Sequence, residues 1–175
     1  MNISHRPIQQ GFTLIETLIA ILIFTAALVS LMTIAGRGIS ATSGARQQIT
    51  AHYQAQEGIE VARNIRDSNF KSGNPWDLDL ALCSAGTPCK VVYGNLTVTP
   101  KLDVCSNDCA VYQSQWAFVD APGESRSPYV REVVATPHTN AQGTVDEYEI
   151  VSTVRWNAKG IARTVSLATV LKLWQ

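Results

Sequence analysis

Net charge is the first thing this 175-residue chain lacks: 14 lysines and arginines balance 14 aspartates and glutamates. A nucleic-acid binder needs a clustered basic surface to neutralise phosphates, so the composition offers no basis for nucleic acid as a partner. Charges of either sign are scarce too, at 16% against 46% hydrophobic residues. That balance excludes a mainly disordered chain. Proline is missing from the long interval between Pro7 and Pro75, so nothing there obliges a helix to stop. Signatures of catalysis are missing as well: there is no H-E-x-x-H pair, no G-x-S-x-G elbow and no P-loop. The histidines, His5, His52 and His138, stand outside any metal motif. The expectation is a protein that is not an enzyme and needs no cofactor or metal.

What is present is concentrated near the N-terminus. Residues 1–11 are polar, with Arg6 and His5 and no acidic group. From Phe12 to Ala35, 24 residues, the sole charged side chain is Glu16. At about 1.5 Å per residue such a helix runs roughly 36 Å, against about 30 Å of bilayer hydrocarbon. A cleaved secretory signal would use Thr33-Ile34-Ala35 as its cutting site, but the apolar run is too long for one and opens on a glutamate. An ordinary membrane anchor explains the length and leaves Gly11 and Glu16 without a role. Nor do the flanking charges orient it, since Arg6 precedes the span while Arg37 and Arg46 follow it.

Gly11-Phe12-Thr13-Leu14-Ile15-Glu16, with its short polar leader and uninterrupted apolar helix, closely resembles the processing motif of type IV prepilins and of type II secretion pseudopilins. The resemblance covers about the first third of the chain. It implies cleavage after Gly11 by a prepilin peptidase that also acts as N-methyltransferase, methylation of the new N-terminal Phe12, and a part for Glu16 in subunit assembly. The partners it implies are other pilins or pseudopilins in a filament, an inner-membrane assembly platform and membrane lipid. The location it implies is the cytoplasmic membrane, crossed once with the head outside the cytoplasm, and then a pilus or pseudopilus.

Physical chemistry is consistent with those roles. Glycine before the cut lets an extended backbone enter a protease cleft without steric conflict. Cleavage exposes an α-amino group on Phe12 with an ordinary pKa near 8, mostly cationic at neutral pH. An unpaired charge in hydrocarbon costs roughly 2.5–3.5 kcal/mol at the centre and less near the edge, so pairing this cation with Glu16 lowers the cost of burying both. A helix starting at Phe12 would bring Glu16 within about 6 Å along the axis, in the second turn. In a filament of staggered parallel helices Glu16 would instead meet the amine of a neighbour, the arrangement the resemblance favours. Snorkelling of Glu16 to the headgroups is the alternative.

Beyond the apolar run, Gly36, Gly38 and Gly44 lower helix propensity and suggest local loosening. From Arg46 to Ser68 the pattern is amphipathic: Ala51, Ala55, Ile59, Ala62 and Ile65 form one stripe. Glu57, Glu60, Arg63, Arg66 and Asp67 are expected on a solvated face, with Glu60 pairing Arg63. Asn69, Gly73, Asn74 and Pro75 end the helix. The run from Gln56-Glu57-Gly58-Ile59-Glu60 to Asn64-Ile65-Arg66-Asp67 also bears a fainter resemblance to minor pilin-like proteins.

The remaining hundred residues read as strands near Lys90–Pro100, Gln115–Val119, Val130–Thr136, Glu147–Trp156 and Ala162–Leu173. The last two form a hairpin about Asn157-Ala158-Lys159-Gly160. The fold class is therefore α+β, a long helix packed on a small antiparallel sheet, and it resembles the pilin head. The expected divisions are residues 1–11 as leader, 12–36 as membrane and assembly helix, 37–70 as its amphipathic continuation, and 71–175 as the head. Cys83, Cys89, Cys105 and Cys109 fall in loops. Export to an oxidising compartment favours disulfides, with three pairings open, and gaps of five and three residues fit a zinc site poorly. Asp103, Asn107 and Asp108 are acidic and amide oxygens in one loop, yet they form no calcium-binding pattern. The sequence reads best as a minor pilin or pseudopilin, with a membrane-tethered binding domain that never polymerises as the competing class.

Overall fold

In the computed structural model, residues 11–93, 100–105, 109–113, 118–119 and 125–173 are described. The chain divides into two compact units, Met1–Ala45 and Arg46–Gln175. The expected α+β layout is observed: α1 (Leu14–Lys71) is followed by a small antiparallel sheet.

In the first unit α1 begins after Thr13, whose carbonyl accepts from the amides of Glu16 at 3.1 Å and Thr17 at 3.3 Å. Residues 36–44 are helical throughout, so the loosening expected at Gly36, Gly38 and Gly44 does not occur. Each glycine costs about 1 kcal/mol against alanine. Propagating an existing helix past isolated glycines is far easier than starting one, and the Thr42 hydroxyl adds a bond to the Gly38 carbonyl at 2.9 Å.

In the second unit α1 buries the anticipated stripe: Ala51, Ala55, Ile59, Ala62 and Ile65 are all buried. The helix ends at Lys71, and Gly73 takes a φ of 71°. The Gly73 amide donates to the Phe70 carbonyl at 3.2 Å and the Asn74 amide to that of Asn69 at 3.0 Å. These two bonds make a Schellman cap, which needs the left-handed conformation that glycine adopts without steric cost.

The described strands are β1 (Cys89–Val92), β2 (Lys101–Val104), β3 (Ala110–Gln113), β4 (Phe118–Val119), β5 (Ser125–Thr139), β6 (Val145–Ala158) and β7 (Ile161–Lys172). β5 is the hub: it pairs with β6, and also with β1 at Val133 and β3 near Val130. β2 flanks β1, β4 flanks β3, and β7 flanks β6.

Of the strand expected at Lys90–Pro100, β1 is the described part, and residues 94–99 lie outside the described residues. β2 escapes a sequence reading because it has four residues, two of them charged. Likewise β3 precedes the strand expected at Gln115–Val119, of which residues 115–117 lie outside the described set. β5 runs past Thr136 and through Pro137. The amides of Arg131 and Ala135 donate to the carbonyls of Cys109 and Cys83, away from β6. By alternation the missing N–H of Pro137 falls on that same edge, beyond the reach of β1 and β3, so the proline removes no ladder bond. β6 and β7 match expectation to within two residues. Their turn is tighter than foreseen, since Ala158 pairs Ile161 and Lys159-Gly160 alone make the bend. With φ of 54° and 83° these two residues fit a type I′ turn.

Two disulfides staple the loops. Cys83 is joined to Cys89 at the start of β1, and Cys105 to Cys109 between β2 and β3. Each closes a short loop, worth roughly 2 kcal/mol by loop entropy. Side chains between helix and sheet form two apolar clusters. One gathers Val61, Ala62 and Ile65 with Leu80, Val133, Ile150 and Leu171. The other gathers Ala51 and Ala55 with Val111, Tyr129, Val154 and Trp156.

Candidate functional site

The N-terminal segment is built around one residue type, the exposed aliphatic. Leu14 is 78% exposed and Ile15 67%, and no residue of the most apolar 18-residue window is buried. Apolar area costs about 25 cal/mol per Å² in water, so a continuous surface of this kind requires lipid or other helices around it. Among the described residues α1 is the one helix long and apolar enough to cross a membrane. Its hydroxyls fit that surrounding. Thr17, Thr25, Ser30 and Thr33 donate to the carbonyls of Leu14, Leu22, Ala27 and Val29 at 2.7–3.0 Å. Hydroxyls that would be costly in hydrocarbon are thus satisfied within their own helix.

Gly11, Phe12 and Thr13 precede the helix, and no atom within 4 Å would meet a Cβ at Gly11. The segment is therefore accessible and not held in helical geometry. Glu16 lies in the first turn, not the second, because the helix starts at Leu14. Thr13 caps it: its Oγ1 accepts from the Glu16 amide at 3.4 Å. Thr13-Leu14-Ile15-Glu16 has the spacing of a capping box, and the carboxylate sits where the helix dipole favours it. Since Phe12 is outside the helix, the one-turn spacing between Phe12 and Glu16 is not set up here.

The family model of the prokaryotic N-terminal methylation motif matches residues 6–32. The chain carries the type IV pilin-class signal. The match spans the Gly11–Phe12 junction, Glu16 and most of the exposed apolar helix. No curated protein and no solved structure matches the chain. The pilin-class signal supports membership of the type IV pilin and pseudopilin family, whose members are structural rather than enzymatic. It implies processing by a prepilin peptidase and assembly with other pilins. Together with the long apolar helix it supports membrane anchoring.

The second unit holds polar groups that sequence reasoning missed. Between the two apolar clusters lies a buried polar belt. Arg131 on β5 is 2% exposed; its Nη1 donates to Glu57 Oε2 at 2.5 Å and to the Gln54 carbonyl at 3.2 Å. Tyr93 Oη also donates to Glu57. Glu57 is therefore not on the solvated face expected of it, but clamps α1 to the sheet. Gly58, one residue on, allows the close approach: a Cβ there would fall 2.4 Å from Ser152 Oγ and 3.0 Å from Val133 Cγ2. The available signals were a charge at the inward parity of β5, between Tyr129 and Val133, and a break in the helical stripe at Gln54, Glu57 and Gly58.

Glu60 and Arg63 pair at 2.8 Å as expected, and Arg63 also reaches Thr169 Oγ1 at 3.2 Å. His52 lies within 3.3 Å of Gln56, also on α1. Asp103 stands opposite Lys90 on paired strands, whereas Asn107, Asp108, His5 and Arg6 lie outside the described residues. Among the described residues no group of three or more histidines, cysteines or carboxylates is placed to hold a metal.

Two tyrosines show how the core is charged. Burial raises the Tyr148 phenol above its ordinary value, and Asp77, whose carboxylate is 3.4 Å away, raises it further by repelling the phenolate and accepting its proton. Burial also raises Tyr129, against smaller lowering influences from Thr50 and Arg46.

Proposed function

We propose that this protein is a minor type IV pilin or type II secretion pseudopilin. It is cleaved after Gly11, methylated on Phe12, and assembled through α1 into a pilus or pseudopilus. It crosses the cytoplasmic membrane once before assembly and carries its head outside the cytoplasm. The observation that carries this reading is the coincidence of the methylation-motif match at residues 6–32 with an exposed, unbroken apolar helix.

The mechanism is one of packing and charge pairing. Removal of residues 1–11 places an ammonium group on Phe12, directly before the Thr13 cap. Glu16 is the one charged side chain between Gly11 and Arg37, so it is the local anion available in that stretch of helix. In staggered parallel helices the ammonium of one subunit meets Glu16 of the next, which lowers the cost of holding both charges in an apolar filament core. The early glutamate also stabilises its own helix start, so its two roles use the same position. The disulfide-stapled head supplies the outer surface.

Shearing surface filaments and determining their N-termini by peptide mass analysis tests the reading. A methylated Phe12 is expected in the filaments. Gly11→Leu is expected to leave an uncut precursor in the membrane, and Glu16→Ala to be cut yet poorly incorporated. A chain that retains Met1 and stays in the membrane fraction would instead establish the non-polymerising tether. Normal incorporation of Glu16→Ala would remove the pairing role.

A further inference from the structure

The contacts that hold α1 to the sheet change in kind at Gly58. After it, Val61, Ala62 and Ile65 enter the larger apolar cluster beside Leu80, Val133 and Ile150. Before it, the buried apolar side chains of α1 are those of Ala51 and Ala55. Each brings a single methyl, so this stretch removes little apolar area of its own from water. Polar contacts carry more of the attachment here. Tyr129 Oη donates to the Gln47 carbonyl at 3.3 Å, and Arg131 Nη1 donates to the Gln54 carbonyl at 3.2 Å and to Glu57 at 2.5 Å. Water replaces bonds of this kind on exposure, and the desolvation of a buried ion pair offsets much of its attraction.

The same stretch covers polar atoms that have no partner. Gln54 is 2% exposed, and among the described residues both atoms of its side-chain amide lack a hydrogen-bond partner, as do Arg131 Nε and Trp156 Nε1. A buried donor or acceptor left unpaired carries its full desolvation penalty, which is relieved in any state that water enters. Arg131 contacts Gln54 and Glu57, and Trp156 belongs to the smaller cluster with Ala51 and Ala55. All four atoms therefore belong to the part of the interface that precedes Gly58. The buried faces of Tyr129 and Trp156 oppose opening and keep the closed form dominant.

We infer that residues 46–57 form a strap that lifts from the sheet as one unit, while residues 59–71 stay docked. Gly58 is its hinge, because glycine has the weakest hold on helical geometry short of proline. The Glu57–Arg131 pair is its latch, and Tyr93 also donates to Glu57. Lifting breaks no bond inside the helix on either side of the hinge. It hydrates both latch charges and the four unpartnered atoms, and it frees about 18 Å of helix from the sheet. The inference concerns the second unit alone and holds whether or not the chain polymerises through α1.

Thiol labelling of the full chain in non-ionic detergent micelles tests this. Ala51, Ala55 and Ala62 are all 0% exposed, and the native cysteines are disulfide-bonded. A thiol introduced at any of the three positions therefore reports opening at that position. Labelling rates are divided by those of the urea-unfolded chain. The thiols of Ala51→Cys and Ala55→Cys are expected to react about a hundredfold faster than that of Ala62→Cys. Ile65→Val weakens the larger cluster, so it should speed labelling at position 62 about fivefold and leave positions 51 and 55 unchanged. Gln54→Met replaces the unpartnered amide by an apolar chain of similar length and should slow labelling at position 55 about tenfold. Should the cysteine variants not fold, the Trp156 indole N–H of the unaltered chain serves instead. Relative to unfolded rates, it should exchange with solvent about a hundredfold faster than the Ile150 amide. Equal labelling at the three positions overturns the inference, as does acceleration of all three by Ile65→Val. Unchanged labelling at position 55 in Gln54→Met, or an indole that exchanges no faster than the Ile150 amide, overturns it too.

Discussion

Replacing Gly58 by alanine sets two effects of opposite sign against each other. Alanine in a helix interior is favoured over glycine by about 0.5–1 kcal/mol, because the unfolded glycine has more freedom to lose. Against this, the new methyl would stand 2.4 Å from Ser152 Oγ, 3.0 Å from Val133 Cγ2 and 3.2 Å from Ser152 Cβ. Both neighbours are fully buried, so neither can swing into solvent, and overpacking at such a site costs typically 1–3 kcal/mol. The net expectation is a loss of about 1–2 kcal/mol. Ser152 makes the reasoning testable beyond its sign. Its Oγ is buried without a hydrogen-bond partner, so Ser152→Ala alone should be neutral or slightly stabilising. The same change removes the nearest clashing atom, and the double variant should recover roughly half or more of the loss as a coupling energy. Urea unfolding of the full chain in micelles, followed by the fluorescence of the buried Trp76 and Trp156, reads all four corners of the cycle. A Gly58→Ala chain as stable as the parent, or a double variant that recovers nothing, would refute the close-approach argument.

Other expectations follow from the same core. Glu57→Gln leaves the buried Arg131 without its anion and should cost roughly 2–3 kcal/mol by urea unfolding, whereas changing Arg131 to leucine as well should cost less than the sum of the two single losses. Tyr148 and Tyr129 have folded pKa values raised above 10, so the native state holds protons that the unfolded state releases. The stability they contribute is complete below pH 10 and is lost as pH rises through the raised values. Thermal unfolding between pH 9 and 11.5 should show that fall, and Tyr148→Phe should make it shallower. Glu147 and Lys172 face each other at 2.9 Å, where hydrogen bonding lowers the acid and raises the base. The Glu147 share is lost as pH falls through its lowered value and the Lys172 share as pH rises through its raised one. Because the pair is exposed, adding salt should abolish the small destabilisation caused by Lys172→Ala. Mass analysis of the unreduced protein after alkylation should find no free thiol on Cys83, Cys89, Cys105 or Cys109, and peptides linked 83–89 and 105–109.

The parts of the molecule legible in its sequence are those governed by local periodicity. The apolar run, the stripe from Ala51 to Ile65 and the alternation of Ile150, Ser152, Val154 and Trp156 each repeat often enough to declare a face. The N-terminal methylation motif was legible for a different reason: it is written in consecutive residues. What escaped depends on contacts between distant positions. Glu57 looks like any solvated helix glutamate until Arg131, 74 residues later, is brought against it by β5. β5 seemed to end before Pro137 because nothing local reveals that, among the described residues, no strand pairs with its N–H side. The short strands β2 and β3 owe their existence to pairing with β1 and β5 rather than to their own composition.

The four hydroxyls of the apolar helix each commit their proton to a carbonyl of the preceding turn. They therefore offer no donor to an adjoining helix, and lateral contact there is governed by side-chain shape alone. Shape tolerates small slides and rotations that directional bonds would resist. In the filament proposed above, the compliance along its length would thus be set by aliphatic fit.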